Sequence, residues 1–355
     1  MPDLTLLPTD ATGTTTGTTI ETKRLTYAEA VNHALRRALR ERPETLLFGE
    51  DVAKPGGVFG VTKGLHREFG DRVFDTPISE SAILGGAIGA AMFGRRPIAE
   101  IMWIDFSLVA LDQLVNQAPN VRYVSRGAVT APITVRTQAG NGPGACAQHS
   151  QNLEAFFAHV PGLRVGMPST PQDAYDMLLS AVWCDDPVIV IENRTLYHGA
   201  RSDVRLGGEV GPIGGARVRR EGSDVTVVTW GAVQNLVLDA AEELAAEGIE
   251  AEVLDLRWLN PLDPAAVRDA VSRTRRLAVV HEAHTFGGFG AEVVGLVAES
   301  GLDLLAPPVR IGAAPARIPS AVSLVPGVLP TREKIANGLR RLVRGEKAHD
   351  AGALR

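Results

Sequence analysis

The sequence predicts an α/β protein of two domains, each a mostly parallel sheet flanked by helices. Strand-like apolar runs alternate with helical patterns along nearly the whole chain, an order that gives a parallel sheet covered on both faces. The alternation breaks once, from about His198 to Arg220, where glycines and mixed charge replace periodicity. A length of 355 residues suits about two domains, each large enough to bury its own core.

The first 22 residues are rich in Thr, Gly and Pro and lack an apolar signal core, so they read as a disordered extension. A domain over 23–200 follows. Thr26 with Glu29 three residues on has the spacing of a capping box. Val31, Ala34, Leu35, Ala38 and Leu39 then form one apolar stripe at helical period, ending before Pro43. Strands are expected at Leu46–Phe48, Pro97–Ile101, Pro132–Val135 and Pro187–Glu192, with helices near Ser81–Phe93, Leu108–Gln117 and Pro171–Trp183. Pro119 should end or kink the second of these helices. Residues 201–220 read as a linker. The second domain, 221–345, begins with the strand Asp224–Thr229 and the helix Val233–Glu247. Next come a strand Ala251–Leu256, a helix Pro264–Ser272, a strand Leu277–His281 and a helix Gly290–Ser300. A strand near Val309 and a helix Arg332–Val343 close it, leaving 346–355 as a tail.

Composition excludes several classes. The chain is 45% hydrophobic and 22% charged with a net charge of −5, which leaves no basic footprint for nucleic acid or an anionic membrane. No run reaches the roughly 18 apolar residues of a bilayer span. Two cysteines, Cys146 and Cys184, make no disulfide framework and suit a reducing cytoplasm.

Two short stretches could carry chemistry. Phe74-Asp75-Thr76-Pro77-Ile78-Ser79-Glu80 puts a carboxylate where a loop enters a glycine- and alanine-rich helix that a flat ligand could approach closely. As a bare feature, Glu80 is explained first as a helix cap favoured by the dipole. Ala147-Gln148-His149-Ser150-Gln151 follows a loop, Gly140–Gly144, too rich in glycine for regular structure. The imidazole of His149 is a group type able to move a proton; a lone loop histidine is otherwise simply solvated. Glu50 follows a strand end, where α/β folds bind ligands, or is only a turn carboxylate beside Asp51. Phe106 is a core aromatic or a ring-stacking one. His281 and Glu282 are adjacent on a strand and point to opposite faces, so they do not form a metal pair. Gly287-Gly288-Phe289-Gly290 lacks the GxGxxG spacing of a dinucleotide site.

Over roughly residues 24–345 these motifs resemble the β subunit of thiamine-diphosphate-dependent 2-oxo acid dehydrogenases. The resemblance implies a pyrimidine-binding domain followed by a transketolase-type C-terminal domain. It implies that Glu80 bonds the aminopyrimidine ring nitrogen and promotes the imino form that deprotonates the thiazolium carbon. It places Glu50 in an acid–base network near the cofactor and Phe106 against the aminopyrimidine. His149 becomes a proton donor during reductive acylation of lipoamide, with Ser150 as a candidate to orient it and His159 in support. A monovalent cation, potassium in the related proteins, would be held by backbone carbonyls of Ile133, Ala181, Val182, Cys184 and Asp186.

The magnesium site of such enzymes is marked by Gly-Asp-Gly, which this chain lacks; Gly70-Asp71-Arg72 is the nearest approach. The diphosphate and its Mg2+ are therefore expected on a separate α subunit, in an α2β2 heterotetramer that acylates a lipoyl-bearing acyltransferase core. Where related chains carry Asp-Thr-Pro-x-Pro, this one reads Gly312-Ala313-Ala314-Pro315-Ala316-Arg317-Ile318-Pro319, which bears on the contact with that core. The motifs favour pyruvate slightly over branched-chain 2-oxo acids. The alternatives are an acetoin dehydrogenase β subunit and, in a different class, a non-catalytic scaffold for the α chain.

Overall fold

The computed structural model describes residues 20–142 and 144–346. The expected extension lies outside the described residues up to residue 19, but its last two residues, Glu21 and Thr22, pair in a strand instead; the tail beyond Glu346 also lies outside the described residues. The N-terminal half contributes strands β1 (Glu21–Leu25), β2 (Thr45–Gly49), β3 (Val73–Asp75), β4 (Arg96–Ile101), β5 (Thr134–Ala139), β6 (Arg164–Gly166), β7 (Val188–Asn193) and β8 (Ser202–Leu206). The C-terminal half contributes β9 (Arg217–Arg220), β10 (Val225–Thr229), β11 (Ala251–Asp255), β12 (Trp258–Asn260), β13 (Leu277–His284) and β14 (Val309–Ala313).

Two sheets result, both mostly parallel. The larger runs β12-β6-β7-β5-β4-β2-β3, and only the β12–β6 pair is antiparallel. The smaller runs β14-β13-β10-β11-β9, with β9 antiparallel at its edge. The inner strands β5, β7 and β10 are buried along their whole length, as expected of strands covered by helices on both faces.

Local chemistry sets the helices. Thr26 Oγ1 accepts from the Glu29 amide at 3.3 Å and Glu29 Oε2 accepts from the Thr26 amide at 2.8 Å, completing the expected capping box. All five residues of the Val31–Leu39 stripe are buried, packed against the helix Pro171–Trp183. That helix starts where expected, with Thr170 accepting from the Asp173 amide.

Two expectations fail. The segment 108–117 is not a regular α-helix. It runs as a 3-10 turn (Ile104–Leu108), a π turn (Gln113–Gln117) and a second 3-10 turn (Ala118–Asn120), then continues helically to Val124. Ala110, Leu114 and Ala118 are buried at helical spacing, so the periodicity is real. Pro119 has no N–H to return to the preceding turn, however, and the ladder widens before it and tightens at it. The expected linker 201–220 holds two strands: β8 pairs antiparallel with β1, and β9 edges the smaller sheet.

The two halves share one apolar core. Phe157, Met167 and Val165 belong to the same cluster as Trp230, Leu254 and Leu259. An ionic knot reinforces it: buried Asp173 meets Arg257 at 2.9 Å and also Arg219, which in turn bonds Asp255 at 2.7 Å.

Candidate active site

At the carboxyl end of β2, a Cβ on Gly49 would stand 2.5 Å from the Glu100 carbonyl oxygen of β4, so only glycine fits. The chain then turns through Glu50 and Asp51, whose φ is +58°. Asp75, ending β3, holds this turn by accepting from the Ala53 amide at 2.7 Å, and the Thr76 amide donates to the Gly49 carbonyl at 2.9 Å. Both strand ends thereby lead to one spot, where the helix Glu80–Met92 begins. Ser79 makes no side-chain cap there, and Glu80, only 8% exposed, occupies the first turn.

Glu50 and Glu80 are electrostatic neighbours: burial first, then the Glu80 and Asp51 charges, push the Glu50 carboxyl up. Among the described residues neither carboxylate receives a hydrogen bond. A pair of unpartnered carboxyl groups at the carboxyl edge of a parallel sheet is suited to accept a ring N–H and to hold a proton.

The second stretch forms an aromatic nest. His149 follows a 3-10 turn (Cys146–Gln148) and is flanked edge-on by Phe106, 5.3 Å between ring centroids, and Trp103, 5.0 Å. Trp103 has φ +69° and is held by its amide's bond to Gln138 Oε1 at 3.1 Å. Its ring also takes the Arg194 guanidinium at 4.5 Å and the Phe59 edge at 5.4 Å. Beneath the nest, Arg136 is fully buried between Glu192, bound through two nitrogens at 2.7 and 2.8 Å, and Glu100 at 2.5 Å. Burial raises the Glu100 carboxyl, opposed by Arg136.

Not every expected residue joins the site. Ser150 is buried with its hydroxyl unpartnered, so it does not orient His149; the rings do. His159 ends a short helix, Glu154–Ala158, and is exposed, giving no support to the nest. The proposed cation corner already holds a positive group. Val182 and Cys184 carbonyls accept from Arg96 at 3.0 and 2.9 Å, and those of Ile133 and Ala181 accept backbone amides. The Asp186 carboxylate pairs with Arg122 and Arg164.

His281 and Glu282 do face apart. His281 stacks on Trp230 at 5.1 Å, whereas Glu282 accepts from Asn193 Nδ2 at 2.5 Å. The glycine loop explains itself by packing, since a Cβ on Gly290 would stand 2.7 Å from His281 Nε2. Between the domains, beside His149, opens a cavity of about 610 Å3, lined by Ser150, Asn152 and Phe156 on one side and Glu282, Phe286 and Arg317 on the other. Arg317, from the divergent stretch, donates to Gln151 Oε1 at 2.9 Å. Sequence reasoning missed Trp103, Arg194 and Asn193. Trp103, three residues before Phe106, carried the one local signal.

Residues 23–199 match the transketolase pyrimidine-binding domain, and residues 214–335 match the transketolase C-terminal domain. The β subunit of acetoin:2,6-dichlorophenolindophenol oxidoreductase of Cupriavidus necator is 40% identical over 92% of this chain and 99% of its own. The β subunit of 2-oxoisovalerate dehydrogenase of Bacillus subtilis is 40% identical over 90% of this chain and 98% of its own. The β subunit of the pyruvate dehydrogenase E1 component of Staphylococcus aureus is 41% identical over 82% of this chain and 90% of its own. This chain belongs to that family of transketolase-like dehydrogenase β subunits.

The structure of a split-gene transketolase, an inactive β4 tetramer, superposes with a TM-score of 0.73 at 22% identity, covering 92% of this chain and all of that one, which shows the shared fold. In this β subunit the domain matches divide where the structure does, except that β12 returns to the first sheet. No helix among the described residues is long and apolar enough to cross a membrane.

Proposed function

We propose that this β subunit is the catalytic half-site of a thiamine-diphosphate-dependent 2-oxo acid dehydrogenase, completed by an α subunit. The observation that carries the reading is the unpartnered Glu50–Glu80 pair at the sheet's carboxyl edge. When bound, thiamine diphosphate supplies the nucleophilic carbon that attacks the 2-oxo group. Glu80 would accept the pyrimidine ring N–H, and Phe106 would fix the ring's orientation. Glu50, its carboxyl pushed up by burial and by Glu80, would hold a proton beside it. His149 would donate a proton to the lipoyl sulfur as the acyl group transfers, which oxidises the bound fragment and reduces the lipoyl disulfide.

The diphosphate half lies elsewhere. The chain has no Gly-Asp-Gly, the mark of the magnesium site in such enzymes. Magnesium and the diphosphate therefore fall to the α partner, in an α2β2 assembly that serves a lipoyl-bearing acyltransferase in the cytoplasm. A monovalent cation at the Ile133, Ala181, Val182, Cys184 and Asp186 corner would use the remaining lone pairs of carbonyls that Arg96 engages at Val182 and Cys184 and that backbone amides engage at Ile133 and Ala181. Pyruvate is the favoured substrate over branched-chain 2-oxo acids, with acetoin as the alternative. Steady-state comparison of pyruvate, 3-methyl-2-oxobutanoate and acetoin in the assembled complex decides among them.

Glu80→Gln tests the reading, because the amide keeps the size of the carboxylate but cannot share the ring proton. Hydrogen–deuterium exchange at the thiazolium carbon should slow greatly while calorimetry shows the cofactor still bound. A near-normal exchange rate would return Glu80 to a helix cap and leave a scaffold subunit as the better description. The isolated β chain should bind thiamine diphosphate weakly even with magnesium; tight binding would overturn the half-site.

A further inference from the structure

Glu282 comes from the C-terminal domain, yet its hydrogen bond ends on Asn193, the last residue of β7 in the first domain. Both ends of that carboxamide are fixed. Asn193 Nδ2 donates to Glu282 Oε2 at 2.5 Å, and Asn193 Oδ1 accepts from the Thr195 amide at 3.0 Å and its hydroxyl at 2.7 Å. The glycine loop leading to His149 rests directly on this residue and the next. A Cβ on Gly140, whose φ is +92°, would overlap the Asn193 carboxamide, and one on Gly142 would overlap the Arg194 guanidinium. Arg194 in turn covers the Trp103 ring that flanks His149.

We infer that Glu282 is a positioning residue for His149, acting through Asn193 and Arg194 on the glycine loop. The inference rests on the proton-donor role proposed for His149 and adds the domain interface to it. Energetics favour a purpose beyond adhesion. Glu282 lies beside Glu154, itself 1% exposed with one carboxylate oxygen unpartnered. Two neighbouring carboxyl groups, with no cation bound to either among the described residues, are a poor way to join domains. An apolar side chain would seal the same seam without the desolvation cost. What the carboxylate adds is a directed, charge-assisted bond that sets one rotamer of Asn193.

The bond also has a pH dependence. Burial and then Glu154 push the Glu282 carboxyl up to about 7, while Asn193 opposes the rise. Glu154 faces it from the helix Glu154–Ala158, Asn193 from β7, and His284 and Arg317 share its cavity. Above that value the carboxylate is the strong acceptor; below it, the bond weakens and the loop loosens. Activity that depends on this bond is therefore lost as pH falls through about 7.

The test is a double-mutant cycle in the assembled complex. Glu282→Gln should slow acylation of lipoamide by about 10- to 10²-fold, the scale of a misplacement near 1 Å. Decarboxylation followed with an artificial electron acceptor should change less, and the acid limb near pH 7 should disappear. In a His149→Ala background the same substitution should have no further effect. Multiplying effects would overturn the inference while leaving the role of His149 intact. No effect of His149→Ala alone would instead defeat that role. A readout independent of activity is amide hydrogen exchange over residues 140–151, which should accelerate in Glu282→Ala; an unchanged rate would also overturn the inference. Asn193→Asp combined with Glu282→Gln reverses donor and acceptor and should restore the slow exchange. Failure to restore it in a complex that assembles and melts normally counts against the inference.

Discussion

A methyl group is the difference between Gly49 and alanine, and the Glu100 carbonyl leaves no space for one. Gly49→Ala must shift β2 or β4. It should cost about 1–3 kcal/mol of stability and displace Glu50, lowering cofactor affinity of the complex in calorimetry; unaltered affinity would detach Glu50 from the site. His281 offers a pH test. Burial lowers it from the ordinary histidine value to about 4, against the opposing pull of the Ala283 backbone. The folded state resists its proton, so the associated stability is complete above about 6.5 and is lost as pH falls through 4. The loss approaches about 3 kcal/mol. His281→Leu should flatten that acid slope of melting temperature, and an unchanged slope would place the titration elsewhere. Glu80 and His149 were legible because each sits in a run of neighbours that carries its own signal. Trp103, Arg194 and Asn193 were not, because their meaning lies in contacts between segments about 90 residues apart.

The capping box at Thr26 shows an element whose start is written in four letters. Thr26→Ala removes the acceptor of the Glu29 amide and should lower stability by about 1 kcal/mol, seen as a lower denaturation midpoint at unchanged slope. No shift would mean that tertiary packing alone holds the helix. Helices with one apolar face were equally plain, because the 3.6-residue period survives without knowledge of the partner. The segment 108–117 was misleading for a specific reason: its buried positions keep helical spacing while Pro119 alters the hydrogen-bond ladder. β8 was invisible because its partner β1 is about 180 residues away in sequence, and nothing in Ser202–Leu206 announces that pairing.

At the scale of the molecule, the Asp173 knot joins a helix of the first domain to Arg219 and Arg257 of the second. Asp173→Ala leaves two buried or half-buried guanidinium groups short of a counter-charge and should cost about 3–5 kcal/mol. A thermal transition within a degree of the parent would show that Asp255 suffices alone. The two-domain order was legible in the sequence, but its crossing point was not. Trp258 of β12 is buried in the core of the first domain, where a Cβ on Gly166 would stand 2.8 Å from its ring. A chimaera joined near residue 210 would therefore graft a foreign strand and a foreign indole onto this sheet along with the donor's second domain. Truncation at the same point would bare the β6 edge and invite pairing with another chain. Exchange of modules between relatives is thus constrained at two sites: the junction, and a tripeptide nearly fifty residues beyond it.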